Sequence, residues 1–446
     1  MSSAVTAPDV VVVGGGIAGL AAARRLADRG LQPLVLERSA RVGGRMTTDR
    51  VDGFAIDTGV TVLGNRFRGM RRLARRAGVP VAPVRFSLGV YDGGVMHAYR
   101  AQRPLDVLLD RNLSLRARVA GARVLARIAV AGTGMLHGRS DRAERFDRQT
   151  VDEYLSGLGA GGRELLARVF TAGFLTAALG GDLAACSRFV LMQVVWNTLA
   201  AGFWNVAGGV DRLPEAVARS VPVELGTEVH RVRATPGGVE VEASSAGSRH
   251  SLAARAAILA VPGHLVPELY PDAPEWLRAP AGRARFSRVA SAHVALRRPP
   301  DSPHAVLAFA GRTDGVGVLE LEHLRAPGRC PDGTGMVSVY FADVPGFACL
   351  EADDATLRAR ALETVARTFP GSAADALFVH LIRWPAGIAF FPKGRLVEVL
   401  RLRSALAQSD TPIDVAGDWL DGVASESALQ MGEQAADRVA ARLGRS

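Results

Sequence analysis

Two hydrophobic periods alternate along this chain. Val10 to Val13 is a β-branched run of strand length, and Leu34 to Leu36 is a second apolar strand ending in Glu37. Between them, Ile17 to Arg29 is rich in Ala, Leu and Arg and reads as a helix. By the same criteria Arg66 to Arg76 is a basic amphipathic helix ending at Gly78. Ser87 to Tyr99, with glycines at 89, 93 and 94, is a hairpin. Leu105 to His137 and Glu164 to Leu199 read as helical, the second broken at Gly173, Gly180 and Gly181. Phe203 to Val210 leads into a helix at Leu213–Arg219. Val221 to Val232 and Val239 to Ala243 are paired strands, and Ala256 to Val261, closed by Pro262, is a buried one. Four strand candidates follow in a row: Ser287–Leu296, Ala305–Phe309, Gly317–Leu321 and Met336–Phe341. A helix over Asp354–Phe369, a strand over Leu377–Trp384 and a last strand at Asp414–Ala416 complete the pattern. That last strand runs into Gly417 and Asp418, and a helix with Glu426, Ser427 and Ala428 near its start comes next.

The turn after the first strand carries chemistry. Gly14, Gly16 and Gly19 stand at G-x-G-x-x-G spacing, between a strand and a helix, with a second strand and an acid beyond. That context turns a weak glycine pattern into a dinucleotide fingerprint. Gly14 makes the tight turn, Gly16 leaves room for a pyrophosphate at the backbone, and Gly19 lets helix and strand pack closely. Free N–H groups at the helix start, around Ala18, suit phosphate. Glu37, 18 residues after Gly19, is placed to accept hydrogen bonds from ribose hydroxyls and disfavours a 2′-phosphate, and so NADP. Arg38 follows it in the same set. Gly43, Gly44 and Arg45 add further backbone donors and a fixed cation, suiting a long cofactor.

Composition narrows the classes. A chain of 446 residues suits two domains. No apolar run reaches the roughly 18 residues of a membrane span, and the N-terminal apolar run, already a strand, lacks the features of a signal peptide. Cys186, Cys330 and Cys349 are few and unpatterned, which fits a reducing cytoplasm and no metal site. Net charge is +10, and Lys393 is the sole lysine. The basic surplus favours anionic partners: carboxylate substrates, a membrane surface or an acidic protein. No nucleic-acid motif accompanies it. Arg116, Arg123 and Arg127 share one helical face, with Leu115, Val119, Leu125 and Ile128 supplying apolar surface. That pattern fits a helix lying on a membrane; an ordinary helix with a solvated arginine stripe is the simpler reading.

Arg41-Val42-Gly43-Gly44-Arg45, then Asp57-Thr58-Gly59, resembles the extended fingerprint of the flavin-containing amine oxidase and protoporphyrinogen oxidase superfamily. Phytoene desaturases and Rab GDP-dissociation inhibitors belong to the same group. Gly417-Asp418 and Glu426-Ser427-Ala428 resemble the way that family ends. The resemblance covers 9–60 and 390–440; the middle is similar only in layout. It implies FAD rather than NAD, with Gly59 and Val60 near the cofactor and Val229 on a strand that wraps the adenine. It also implies that Asp418 meets the ribityl–phosphate part and that the last helix points its N-terminus at the flavin pyrimidine. The resulting architecture is α/β: a Rossmann-type FAD-binding domain built from discontinuous segments, with an inserted α+β substrate domain. The expected FAD-binding parts are residues 1–82, 205–275 and 394–446. The substrate domain takes 83–204, mainly helical, and 276–393, mainly sheet.

One dinucleotide fingerprint and no second favours reoxidation of the flavin by dioxygen or another acceptor over a nicotinamide cofactor. The sequence departs from the amine oxidases at Ala386 and Gly387, where the family's covalent flavin cysteine and a cage tyrosine would fall. The second cage tyrosine would fall near Ala424, and the lysine near flavin N5 near Ser291. The resemblance therefore implies noncovalent FAD and a substrate larger than a simple amine: aromatic or polycyclic, as for a protoporphyrinogen oxidase or a natural-product oxidase. Asn65, Arg66, Trp204 and Trp384 are pocket candidates by position. Lys393 is a further one, as a contact for substrate carboxylate or flavin, with a solvent-facing turn lysine the plainer alternative. Polyene desaturation, a flavin isomerase or mutase, and a flavin-free binding protein like the GDP-dissociation inhibitors are the competing readings. The expected location is the cytoplasm, with contact at a membrane surface the open variant.

Overall fold

The computed structural model describes residues 7–84, 86–100, 103, 105–170, 182–199, 201–311 and 314–444. A five-stranded parallel sheet runs in the order Val223–Leu225, Pro33–Glu37, Val10–Val13, Ala256–Leu259, Ile413–Val415. Its strands come from three separated stretches of chain, and parallel pairing requires the long crossovers that this separation supplies. Val10–Val13 and Ala256–Leu259 are buried along their whole length, as expected for central strands covered on both faces. The helices Ile17–Ala27 and Ser425–Leu443 lie against one another on one face. Their closeness depends on Gly432, where a Cβ would stand 2.1 Å from the Ala18 carbonyl oxygen. Thr227–Thr235, Gly238–Ser245 and Ser248–Ala254 form a separate antiparallel sheet.

The second large sheet has seven strands, in the order Ala376–Trp384, Val289–Leu296, Gly335–Ala342, Val316–Leu321, Val306–Phe309, Ser87–Asp92, Val95–Arg100. One face packs Ala290, Ala292, Val294, Val337 and Val339 against Leu357, Ala361 and Val365 of the helix Asp354–Thr368. Side chains alternate across a strand, so the other face carries Ser291, His293, Glu320, Ser338, Tyr340 and Trp384. Ile382 and Trp384 on that face meet the strand Phe54–Asp57 from the glycine-turn end of the chain.

Three expectations change, and a fourth falls partly outside the described residues. The 87–99 hairpin joins the seven-stranded sheet instead of standing among helices, because Ser87–Asp92 pairs in parallel with Val306–Phe309. Phe203–Val206 is a strand, held between Leu63–Gly64 and Val81–Val84. The helix over 105–137 is split into Asp106–Leu109 and Leu115–Ala131. Asp110 is drawn to His97 and Tyr99, and Ser114 caps the second piece through the Ala117 N–H. The helical stretch expected over 164–199 includes 171–181, with the breaks at Gly173, Gly180 and Gly181, outside the described residues.

Candidate active site

The two glycine turns form one cradle. Gly14 has φ +106°, and a Cβ there would lie 2.8 Å from the Ala260 carbonyl oxygen; only glycine takes this turn without strain. A Cβ on Gly19 would lie 1.9 Å from the Gly14 carbonyl oxygen, so that position is closed to any side chain. Gly16 is the opposite case: nothing stands within 4 Å of the place a Cβ would occupy. The space in front of Gly16 is therefore open while the turn around it is tight. Gly43 bridges to Gly16, and its N–H donates to the Gly15 carbonyl at 2.9 Å, so the second glycine pair borders the same space. No side chain caps the N-terminus of Ile17–Ala27, and its first turn holds no acid. Its free N–H groups and dipole suit a phosphate. Glu37 is fixed at the strand end by N–H donors from Gly15 (2.7 Å) and Ser39 (2.8 Å).

Arg45 joins the two ends of the chain. It donates to Asp418 in a bidentate pair (2.8 and 2.9 Å) and to the Gly387 carbonyl at 2.6 Å. It also stands 5.6 Å over the Phe286 ring. Gly59 lies directly against Arg45, where a Cβ would be 2.5 Å from the Arg45 carbonyl oxygen, and Val60 donates its N–H to that oxygen. Trp384 donates its indole N–H to the Thr58 carbonyl at 2.6 Å, linking the large sheet to this loop. These residues fit FAD on an observed property: an open cradle before Gly16, continuous with backbone N–H donors, ending at an arginine–aspartate pair. Arg38 is exposed beside Glu37, and Val229 sits on a strand that begins next to Ser39.

Other expected site residues have partners within the protein. The Glu426 carboxylate accepts the N–H groups of Gly69 and Met70, both at 2.8 Å, so it caps the helix Arg68–Arg76. Ser427 donates to buried Asp421 and also bonds the His137 ring. For these two, only backbone groups remain for a cofactor; Ala428 already donates its N–H to the Ala424 carbonyl. Trp204 is core: it is 1% exposed and its indole N–H is held by the Gly64 carbonyl. Asn65 bonds the Ala201 carbonyl and Arg71. Arg66 stacks 3.7 Å over Trp196, where burial pulls its guanidinium below the usual arginine range. Lys393 points to the surface and pairs with Glu153 at 2.7 Å.

One buried cluster escaped the sequence pattern. Arg325, fully buried, is bound by Glu320 (2.6 Å) and Glu322 (2.5 Å). Arg329, also fully buried, pairs with Asp57 at 2.6 Å. Asp57 additionally accepts from Thr48, Asn205 and the Val210 N–H, tying three segments together. A hydrogen-bonded chain runs from Glu322 to the Ser338 hydroxyl (2.9 Å), on to His293 (2.8 Å) and then Ser291 (3.0 Å). Burial pushes the His293 ring down to about 4, with Glu322 only partly opposing, so the imidazole is neutral near pH 7. Ser291 occupies the same strand face as Val289, which borders Gly387. The chain thus leads from the deep sheet face toward the Arg45–Asp418 pair. The signal was the short acidic-basic alternation Glu320, Glu322, Arg325, Arg329, which resembles a surface pattern in sequence.

Comparison with known proteins shows the family and the fold. The family model for flavin containing amine oxidoreductases matches residues 17–440. A putative flavin-containing monoamine oxidase of Mycobacterium tuberculosis is 31% identical over 56% of this chain and 50% of its own length. A carotenoid phi-ring synthase of Streptomyces griseus is 27% identical over 93% of this chain and 83% of its own length. The crystal structure of a putative protoporphyrinogen oxidase from Exiguobacterium shares the fold, with TM-score 0.76 and 19% identity, covering 97% of this chain and 98% of that one. Several curated relatives are longer proteins, and this chain spans half of their length or less.

Proposed function

The chain belongs to the flavin-containing amine oxidoreductase family, and from that premise we propose that it is an oxidase for a bulky aromatic or polycyclic substrate. It is an FAD-dependent oxidoreductase. The proposed reaction removes hydride equivalents from a C–N or C–C bond, with dioxygen as final acceptor and FAD held without a covalent link. The observation that carries the reading is the Ala386–Gly387 segment. Its Gly387 carbonyl is held by Arg45 beside Asp418. Residues with no side chain beyond Cβ offer no atom for a covalent flavin bond and no aromatic ring to confine a small amine.

Bound FAD supplies the two-electron acceptor. The residues of this chain do the rest. The Gly16 turn and the uncapped helix start bind phosphate through N–H groups. Glu37 takes ribose hydroxyls, and the Arg45–Asp418 pair fixes the far end. Trp384, anchored on Thr58, and the apolar set Phe86, Phe203 and Val318 exclude water from the sheet face. Neutral His293 can carry one proton between the Ser291 and Ser338 hydroxyls, since it has one donor and one acceptor nitrogen. Peroxide release on air-saturated turnover, screened across amines, porphyrinogens and polycyclic phenols, tests the proposal. Turnover of a small alkylamine alone would contradict the bulky-substrate reading.

A second reading, polyene desaturation, is favoured by one observation: the carotenoid phi-ring synthase of Streptomyces griseus aligns along nearly the whole chain. Conversion of a carotenoid precursor without peroxide release would select it.

A further inference from the structure

The helix Leu115–Ala131 exposes an unusual face. Ala117, Ala120, Gly121, Val124 and Ile128 are buried. The opposite side shows Leu115 at 68%, Val119 at 44% and Val130 at 79% exposure, and Leu109 at 72% continues the patch from the preceding turn. Positions 115, 119, 122, 126 and 130 are all apolar and share one stripe at helical spacing. Arg116, Arg123 and Arg127 line that stripe, and all three are exposed. Between Asp110 and Asp141 the chain contains no acidic residue. The neighbouring acids are engaged: Asp106 with Arg100, Asp110 with His97 and Tyr99, and Glu164 with Ser114. No ion pair joins Arg116, Arg123 or Arg127 to an acid among the described residues.

We propose that this face is a membrane-docking surface, on which the aliphatic stripe enters the acyl boundary of an anionic bilayer and the arginines meet lipid phosphates. A large apolar stripe standing out from the surface marks an interaction site. Charge decides the occupant. A second copy would oppose arginine to arginine, which disfavours self-association through this face. An apolar face bordered by arginines and lying flat is the arrangement that binds a headgroup–acyl boundary. Among the described residues no helix is long and apolar enough to cross a membrane, so the contact is confined to one leaflet. The docking is independent of the reaction catalysed.

Vesicle flotation tests it with the full-length holoprotein, using phosphatidylcholine vesicles with and without phosphatidylglycerol. The protein is expected to float with the phosphatidylglycerol vesicles. At about 1 kcal/mol for each arginine near an anionic surface, or roughly fivefold, Arg116→Gln/Arg123→Gln/Arg127→Gln lowers partitioning by about a hundredfold. Leu115→Gln/Val119→Gln/Val130→Gln should also release the protein. Arg75→Gln/Arg219→Gln/Arg249→Gln, which removes equal charge elsewhere, should leave partitioning within about fivefold. All nine positions are exposed (Val119 and Arg116 included), and an unchanged melting temperature verifies each fold. Three outcomes overturn the proposal: a wild type that floats with neither vesicle, an apolar variant that floats as well as the wild type, or a distant arginine variant that loses binding as strongly as the helix variant, which would reduce the effect to general charge attraction.

Discussion

The glycine cradle and the buried polar cluster of the large sheet solve opposite problems. The cradle must keep space empty, and it does so with glycines whose positions are closed by backbone around one open point, Gly16. The cluster must fill space with charge, and it does so by neutralising Arg325 and Arg329 with Glu320, Glu322 and Asp57. Removing charged groups from water is costly unless partners are well placed. Arg329 takes its partner Asp57 from a segment remote in sequence and so also fastens segments together, whereas Arg325 is neutralised by Glu320 and Glu322 of its own stretch. The contrast separates affinity from stability: changes at the cradle should cost cofactor, and changes in the cluster should cost the fold.

The largest expected effect is in the cluster. Arg325→Leu leaves two buried carboxylates without their cation and should destabilise the protein by about 3–5 kcal/mol, read by urea denaturation. Replacing Glu320, Glu322 and Arg325 together with apolar residues of similar volume should recover most of that loss. If the single variant were as stable as the parent, the cluster would not be a closed ionic unit.

Acid should act on the same region through His293 and, separately, on the start of the last helix through His137. Burial pushes both His293 and His137 down to about 4, while the unfolded chain titrates near 6.5. The neutral rings therefore contribute stability that is fully present above pH 6.5. It is lost as pH falls toward 4, where the unfolded state binds protons that the folded state refuses. The loss should reach roughly 3 kcal/mol per histidine. His293→Gln should lessen the dependence between pH 6.5 and 4, leaving the share carried by His137, and an unaltered profile would place the titration elsewhere.

The cradle is sharpened by a smaller change. Gly16→Ala meets no protein atom, so stability should hold. The methyl group would displace phosphate from N–H donors, at a cost of about 1.5–3 kcal/mol in FAD affinity, measured by titration of the apoprotein. Gly19→Ala, in contrast, should damage fold and cofactor binding together. The smallest effect is expected at Lys393→Met, with melting temperature and turnover unchanged, because its pair with Glu153 lies in solvent.

The two regions also differ in how far they could be read from sequence. The cradle lies in one short stretch, and Gly14, Gly19 and Glu37 declare their spacing locally. The strand runs read at 10–13, 256–261, 287–296 and 377–384 are equally plain, since burial on one or both faces imposes a hydrophobic period. The cluster depends on which strands neighbour one another. Nothing local distinguishes Glu320 on a covered sheet face, or Glu322 at the start of the short helix after it, from the same residues in solvent. Glu426 and Trp204 illustrate the same limit: a helix-start acid caps the neighbouring helix at Gly69, and an aromatic beside a glycine pair fills the core. Phe203–Val206 became a strand because partners from 63–64 and 81–84 arrive on both sides, a tertiary cause invisible in its own residues.

The central claim is a noncovalent FAD held between the Gly16 cradle and the Arg45–Asp418 pair. Its most direct test is the absorption spectrum of the purified protein, repeated on the supernatant after acid precipitation. A flavin spectrum that moves entirely into the supernatant is the predicted result. Flavin retained in the precipitate would mean a covalent link and contradict the role given to Ala386 and Gly387, and a colourless protein that FAD does not reconstitute would contradict the cradle itself.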